Sequence, residues 1–344
     1  MNRRDFLGSM ALGAMALPGM TMAAEGAKTD KPFKVCLFSD LHYNPSSWLN
    51  SDDQSFLEQI QARAEREQCD MVLHLGDFVH NVTRADEKAF IKKYNDFAIP
   101  SFHCLGNHDQ DGNDYKLTLA AYNMPEEGYY YVDKGGFRFI ILDPNYVCEK
   151  PGEYIHHSSG NYFKRSKTST INWLPPAQVE WLKDAIRNSP YPCVIGSHQS
   201  LERPNAGINN RHEIRQFFRE INAKRPGHVR LVMNGHMHID HLSLMENIAW
   251  LDVNSANFQW FNATHDKYPA ELTKRLHGIR HTLAWTKPLS AIISLWPDGR
   301  IKIEGSRADY HFGITPEMAN LPLYENSDRI THPEILNAEL KISC

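Results

Sequence analysis

The chain has 344 residues, of which 42% are hydrophobic, so it can bury a large core in one α/β domain or in two smaller ones. Its formal net charge of −4 excludes the strong positive field with which many proteins attract nucleic acid, and no nucleic-acid duplex is expected as a partner. After the first residues, no stretch is long and apolar enough to span a bilayer, so the mature chain is expected to lack a membrane span.

The amino terminus resembles an export signal. The paired Arg3 and Arg4 precede an apolar run over residues 8–20, and a small-x-small cleavage pattern follows at residues 21–23. Residues 1–24 are therefore predicted to be a signal peptide of the twin-arginine type, which would export the folded protein to the periplasm. An ordinary secretory signal and an uncleaved anchor remain alternatives.

The next segment predicts alternating strands and helices. Strands are expected at residues 35–39, 71–75 and 101–105, because each is a short, nearly continuous apolar run. Apolar residues at helical spacing follow a capping pattern at residues 51–54, and Thr83 is predicted to cap a second helix that ends near residue 96. This order is typical of an α/β sheet whose ligands bind at the carboxyl ends of its strands.

The middle of the chain has a different pattern. Residues 129–142 predict a β-hairpin around the turn Asp133-Lys134-Gly135-Gly136. Residues 144–175 lack apolar periodicity and are expected to form an irregular insertion, since long loops inside compact domains are often functional. A lid over the site and a plain solvated insertion are both compatible with this stretch.

The alternation then resumes and continues close to the carboxyl terminus. Helices are predicted at residues 176–187 and 211–223, and strands at residues 193–196, 229–233, 242–245, 249–253, 291–296 and 301–304. A second irregular insertion is expected at residues 254–288. The predicted domain therefore covers residues 32–306, and residues 307–344 are expected to form a tail that packs on its surface.

Metal-type ligands follow five of these predicted strands. They are Asp40 with His42, Asp77, Asn107 with His108 and Asp109, His198, and His236 with His238. Carboxylate, amide and imidazole groups without any cysteine suit Mn, Fe, Zn or Ni, although the identity of the metal stays open. Because the strand ends meet at one edge of a sheet, these residues predict one dinuclear metal centre.

The same residues carry a family resemblance. In chain order, the sequence shows Asp40-x-His42, Gly76-Asp77, Gly106-Asn107-His108-Asp109, His198 and Gly235-His236-x-His238. These stretches resemble the five motifs of the calcineurin-like metallophosphoesterase family, and the resemblance covers about residues 34–304. It implies a four-layer α/β/β/α sandwich of two mixed β-sheets that are flanked by helices.

The resemblance also implies roles for individual residues. One divalent metal would bind Asp40, His42 and His238. The second would bind Asn107, His198 and His236. Asp77 would bridge the two metals, and a hydroxide held between them would attack phosphorus.

Two further residues are predicted to be catalytic. His108 would stabilise developing charge or protonate the leaving oxygen, and Asp109 would orient it through its other ring nitrogen, unless Asp109 is only an exposed turn residue. His80 stands where the purple acid phosphatase branch has a tyrosine that ligates ferric iron, so two divalent ions are expected. Whether His80 faces the site or is structural is left open by the sequence.

The predicted activity is metal-dependent hydrolysis of a small phosphoester, most simply a phosphodiester. An exported phosphomonoesterase is the alternative. A non-catalytic scaffold of the same fold is a third hypothesis, but degenerate scaffolds usually lose ligands and this chain retains all of them. Gln199 follows His198 where many members have histidine or proline, so the natural substrate is left open, as is the oligomeric state.

Overall fold

The computed structural model describes residues 31–43, 53–112, 114–159, 170–260, 268–276, 279, 282–319 and 332–344. The predicted signal peptide, residues 1–24, lies outside the described residues and stays a prediction. Within the described part of the chain, no helix combines the length and the hydropathy that a bilayer span requires.

Seventeen strands and seven α-helices are described, numbered here in chain order. The strands are β1 Phe33–Phe38, β2 Met71–His74, β3 Ser101–His103, β4 Tyr130–Lys134, β5 Phe137–Ile141, β6 Tyr146–Lys150, β7 Glu153–His156, β8 Thr170–Ile171, β9 Cys193–Ser197, β10 Val229–Asn234, β11 His241–Met245, β12 Ile248–Asp252, β13 Phe258–Trp260, β14 Thr282–Ala284, β15 Ala291–Leu295, β16 Arg300–Glu304 and β17 Ala338–Lys341. The helices are α1 Asp53–Arg66, α2 Ala85–Asn95, α3 Tyr115–Tyr122, α4 Pro176–Arg187, α5 Arg211–Lys224, α6 Ala270–Arg275 and α7 Pro316–Ala319.

Two six-stranded mixed sheets form the centre of the fold. The first has the order β17-β16-β15-β1-β2-β3, in which β1, β2 and β3 are parallel and β15 joins β1 in the antiparallel sense. The second has the order β11-β12-β10-β9-β5-β4, with four parallel strands between two antiparallel edges.

The side chains of β1 show how the layers are arranged. Val35 and Leu37 point into the main core, which they share with strands of the second sheet, whereas Cys36 and Phe38 point to the core beneath α1 and α2. This alternation follows from the two-residue period of a strand. A third core lies between the second sheet and helices α4 and α5. The predicted four-layer α/β/β/α sandwich is therefore confirmed.

The carboxyl ends of the parallel strands in both sheets meet at one edge of the sandwich. The backbone N–H of Asp40 donates to the carbonyl of Gly76 at 2.9 Å, which joins the loops after β1 and β2. The N–H of Gly235 donates to the carbonyl of His198 at 3.1 Å, and the N–H of His236 donates to Asp40 Oδ2 at 3.0 Å. The last of these bonds connects the loops of the two sheets, so the site lies where the two sheets meet.

The first predicted insertion is only partly irregular. Strands β6, β7 and β8 form a small antiparallel sheet within residues 144–175, so the prediction of an irregular stretch is wrong for most of 146–156. The sequence signal is weak because, of the five residues of β6, Val147 alone is fully buried. Residues 160–169 lie outside the described residues, and a lid role stays a prediction.

Two local predictions differ from the structure. Residues 254–288 are predicted to be irregular, but they contain β13, α6 and β14. Arg84, rather than Thr83, is the N-cap of α2, and the Thr83 hydroxyl donates to Asn81 instead. The tail after residue 306 is predicted to pack on the surface of the domain, and within it Ala338–Lys341 pairs with β16 and extends the first sheet. Because β17 is an edge strand with half-exposed side chains, it lacks the apolar run that reveals a buried strand.

Candidate metal centre

The loops that carry the candidate ligands have an unusual backbone. Positive φ angles are found at Asp40 (53°), His42 (52°), Asp77 (53°), His236 (68°) and His238 (49°). Non-glycine residues rarely adopt this left-handed conformation, which costs of order 1–3 kcal/mol each in strained cases and concentrates at functional sites. Asp and His adopt this conformation more often than most residue types, but five such positions at one site indicate that the surrounding fold imposes it.

Glycines next to the ligands allow the loops to approach closely. A Cβ atom on Gly76 would lie 2.4 Å from His198 Nδ1, and one on Gly106 would lie 2.1 Å from Asp77 Oδ1. A Cβ atom on Gly235 would lie 1.9 Å from Ser39 Oγ and 2.5 Å from Asp40 Oδ2. The glycines of the sequence motifs are thus required by packing against the ligands themselves.

Asp40, His42 and His238 form one half of the centre. His238 Nε2 lies 3.2 Å from Asp40 Oδ1, and His42 Nε2 lies 3.8 Å from the same oxygen and 3.2 Å from His238 Nε2. All three side chains are buried. Three donor atoms thus face one another within the reach of a single cation.

Asp77, His198 and His236 form the other half. His198 Nε2 lies 3.1 Å from Asp77 Oδ2 and 3.3 Å from His236 Nδ1. Asp77 Oδ2 also lies 3.7 Å from His42 Nε2, so this carboxylate stands between the two halves. Its other oxygen accepts a hydrogen bond from the backbone N–H of His108 at 2.8 Å, which fixes its orientation.

Backbone carbonyls orient two of the imidazole rings. His198 Nδ1 lies 2.7 Å from the carbonyl oxygen of Leu75, and His238 Nδ1 lies 2.6 Å from that of Phe258. A carbonyl accepts only, so each Nδ1 carries a proton and each Nε2 is the ring nitrogen that faces the centre. This is how proteins commonly prepare histidine as a metal ligand.

Asn107 is buried beside the second half of the centre. The Gln199 amide lies between two asparagines, with Nε2 at 2.9 Å from Asn145 Oδ1 and at 3.5 Å from Asn107 Oδ1. Gln199 was identified in the sequence only as a departure from the usual pattern. Its contact with Asn107 depends on the folded loop, and no local sequence signal indicates it.

The two carboxylates give the centre a negative field. Burial raises the pKa of Asp77, but His198 and His108 outweigh this and hold that pKa well below its usual value. Asp40 is likewise buried, and His238 and His198 lower its pKa. Burial lowers the pKa of His236 to about 3, which favours the neutral ring that metal ligation requires.

The donor set fits two divalent cations. Asp40 Oδ1 is buried without a hydrogen-bond partner, although it points at the histidines of the first half. An unpaired buried carboxylate oxygen is costly unless a cation completes its surroundings. The two halves share Asp77 at their boundary, as a bridging ligand would require.

The partner of His108 differs from the expected one. Asp111 Oδ2 lies 2.8 Å from His108 Nδ1 and 3.3 Å from His80 Nδ1, so Asp111, rather than Asp109, contacts the His108 ring. His80 Nε2 lies 3.3 Å from His42 Nδ1, which places the His80 ring beside the centre. Burial lowers the pKa of His108, but Asp77 and Asp111 outweigh this and raise it to about 9.

Asp109 contacts backbone instead. Its carboxylate accepts hydrogen bonds from the N–H groups of Asp77, Phe78, Val79 and Gly106, at 2.8–3.1 Å, and from the hydroxyl of Tyr122 at 2.5 Å. The prediction that Asp109 orients His108 is therefore wrong, as is the alternative of an exposed turn residue, because Asp109 is fully buried. It holds the loop that carries Asp77 against the loop that carries Asn107.

Replacing Asp109 by alanine is expected to destabilise the fold by about 3 kcal/mol or more, because several buried N–H donors lose their acceptor. The free energy of unfolding in urea measures the effect. Asp96→Ala is the control, since it removes a carboxylate from an exposed pair with Lys92, and such pairs contribute about 0–1 kcal/mol. Equal destabilisation by the two substitutions would contradict the bracing role of Asp109.

Two other histidines are core residues. His74 and His103 are buried in a cluster with Phe38, Phe78 and Tyr94. Burial lowers the pKa of His74 to about 3. These rings therefore pack behind the centre.

Known proteins are similar to this chain in sequence and fold. The family model described as calcineurin-like phosphoesterase matches residues 33–240. No curated protein sequence matches the chain. Among solved structures, a dimetal phosphatase from Danio rerio is similar over 80% of this chain and 96% of its own, with a TM-score of 0.57 and 14% identity.

Two further solved structures match this chain with lower TM-scores. GAP50, the anchor in the inner membrane complex of Plasmodium, has a TM-score of 0.49 and 12% identity over 91% of this chain and 90% of its own. Purple acid phosphatase PPD1 from yellow lupin has a TM-score of 0.45 and 12% identity over 80% of this chain and 51% of its own. Because the family model matches more than half of the chain, the protein belongs to the calcineurin-like phosphoesterase family and is a metal-dependent phosphoester hydrolase.

Proposed function

We propose that this enzyme is a phosphodiesterase whose reaction takes place between the two halves of the centre. The observation that carries the proposal is the convergence of Asp40, His42, Asp77, His198, His236 and His238, with His108 beside them. When bound, two divalent metals would withdraw charge from the phosphoryl oxygens and lower the pKa of a water molecule.

The chain's own residues supply the remaining steps. Asp77 would hold the two halves at a fixed separation, and the amide oxygen of Asn107 would complete the second ligand set. His108 would donate a proton to the leaving oxygen from Nε2, because Asp111 holds its Nδ1. In the metal-free protein, burial lowers the pKa of His108, but Asp77 and Asp111 raise it to about 9, and the contact with Asp111 favours the protonated ring that an acid requires.

The charged groups nearest the two carboxylates favour a diester substrate. Among the described residues, the largest lowering charge effects on the pKa come from His238 and His198 for Asp40 and from His198 and His108 for Asp77. A phosphodiester carries one negative charge, whereas a monoester carries about two at neutral pH and benefits more from fixed cations. A phosphomonoesterase is the second candidate, favoured by the likeness to a dimetal phosphatase.

The ratio of kcat/KM for bis-p-nitrophenyl phosphate to that for p-nitrophenyl phosphate tests the proposal. We expect the diester to be favoured by about tenfold or more, a difference of about 1.4 kcal/mol in transition-state binding. The purified protein would be stripped of metal and reloaded separately with Mn, Zn or Fe. Release of p-nitrophenolate gives both rates.

The metal-free protein is the control for this experiment. A ratio that favours the monoester with every metal would reverse the order of the two candidates. Failure to hydrolyse either compound with any metal would contradict both.

A further inference from the structure

Trp260 is an exposed aromatic side chain at the rim of the centre. It is 36% exposed, and its ring centroid lies 6.1 Å from that of His42 and 6.3 Å from that of His238. Of the exposed aromatic side chains in the described part of the chain, Trp260 is the one in ring contact with candidate ligands. The indole ring is therefore partly exposed to solvent and partly in contact with the centre.

The Trp260 ring is held in a defined position. It packs on Phe258 with centroids 4.7 Å apart and an interplanar angle of 88°, and Phe258 is buried. The Phe258 carbonyl accepts the hydrogen bond from His238 Nδ1, so one short strand fixes both a candidate ligand and the indole. Pairing of Trp260 with Thr282 anchors the end of this strand.

The distance from the centre suits a group attached to the phosphate. A phosphoryl group bound between the two ligand sets would direct an ester substituent toward the rim, where the Trp260 ring lies 6.1 Å from that of His42 and 6.3 Å from that of His238. An indole surface offers stacking to a planar ring, whereas an aliphatic group gains only burial of its area. The position therefore distinguishes substrates by the shape of the ester group.

We propose that Trp260 forms the wall of a subsite that binds planar aromatic ester groups, either aryl groups or nucleobases. The proposal rests on the proposed phosphoesterase function and deepens it by naming the substrate class. Stacking on Trp260 orients the ester group, while the metal centre binds the phosphoryl group. Substrates with aliphatic ester groups make no such contact.

Inhibition by two phosphonates of similar size tests the subsite. Phenylphosphonate and cyclohexylphosphonate carry the same anion, but only the first has a planar ring. We expect Trp260→Leu to raise the Ki of phenylphosphonate by about tenfold, the scale of one stacking contact, and that of cyclohexylphosphonate by less than about threefold. Trp260→Phe keeps a ring and is expected to retain most of the preference.

The 5′-phosphonate analogue of adenosine is a second test compound, which distinguishes a subsite for nucleobases from one for aryl groups. A loss of affinity in Trp260→Leu for this compound assigns the subsite to nucleobases, and a loss for phenylphosphonate alone assigns it to aryl groups. Equal Ki values in wild type and Trp260→Leu for both aromatic compounds would overturn the proposal.

Trp296→Leu is the matched control. Trp296 packs against Arg300 and follows Leu295, which pairs with the amino-terminal end of β1, whereas the centre lies at the carboxyl-terminal end of that strand. It is expected to leave every Ki unchanged. Hydrolysis of bis-p-nitrophenyl phosphate by the wild type is measured in the same preparation. If the diester is hydrolysed but the Ki values do not change in Trp260→Leu, only the proposed subsite is contradicted. If the diester is not hydrolysed, the proposed function is contradicted.

Discussion

Asp77→Asn is expected to abolish hydrolysis and to lower the bound metal content from two ions to one or fewer. Asp77 stands between both halves, since Oδ2 lies 3.1 Å from His198 Nε2 and 3.7 Å from His42 Nε2. An amide cannot offset the repulsion between two cations as a carboxylate does. Loss of several kcal/mol of transition-state stabilisation corresponds to a decrease in kcat/KM on the order of 10³-fold or more.

Metal analysis and steady-state kinetics on the same preparation check this result. Asp252→Asn is the control, because Asp252 is also a buried carboxylate, but it pairs with Arg203 and Asn234 rather than with ligand histidines. It is expected to lower stability while both ions remain bound. An Asp77→Asn protein that still holds two ions and turns over substrate would refute the bridging role.

The positions of the candidate ligands could be predicted because they depend on a general property of α/β sheets. Asp40 follows β1 and Asp77 follows β2, and these strands are parallel neighbours, so the two side chains must emerge at the same edge. The same reasoning covers His198 and His236 after β9 and β10. Metal ligation itself remains a prediction that the metal analysis tests.

The partner of His108 could not be predicted, because it depends on the local winding of the chain. His108–Gln110 forms a 3₁₀ turn, in which residues three apart lie above one another. Asp111 therefore stands against the His108 ring, whereas Asp109 points into the protein toward the backbone N–H groups. Sequence alone offers two nearby carboxylates and no means of choosing between them.

The backbone conformation of the ligand residues could not be predicted from the sequence either. Asp40, His42 and Asp77 adopt positive φ angles, which are uncommon for non-glycine residues even though Asp and His adopt them more often than most. Tertiary contacts impose this conformation, for example the bond from the His42 N–H to the Asp77 carbonyl at 2.9 Å. Local preference therefore gives no indication of the backbone shape that aims these side chains.

His108→Ala is expected to leave both metal ions bound while lowering kcat by about 10²–10⁴-fold, the usual contribution of a positioned acid. The His108 ring contacts Asp111 through Nδ1, and neither of the two proposed ligand sets includes it. The loss should be greatest for substrates whose leaving group has a high pKa. A p-nitrophenolate leaving group needs little protonation, so its ester should lose least.

Asp111→Asn tests the orientation of His108 separately from its role as an acid. The substitution keeps the His108 ring but weakens the contact that holds its Nδ1. We expect a smaller decrease in kcat than for His108→Ala, with little change in KM and with metal content retained, since positioning partners typically contribute about 10–100-fold. Rates across a series of aryl diesters would show a steeper dependence on leaving-group pKa in His108→Ala than in wild type. Loss of both ions from His108→Ala would contradict the acid role, because it would identify His108 as a metal ligand. An unchanged slope would also contradict it, because removing an acid must increase the dependence of the rate on the leaving-group pKa.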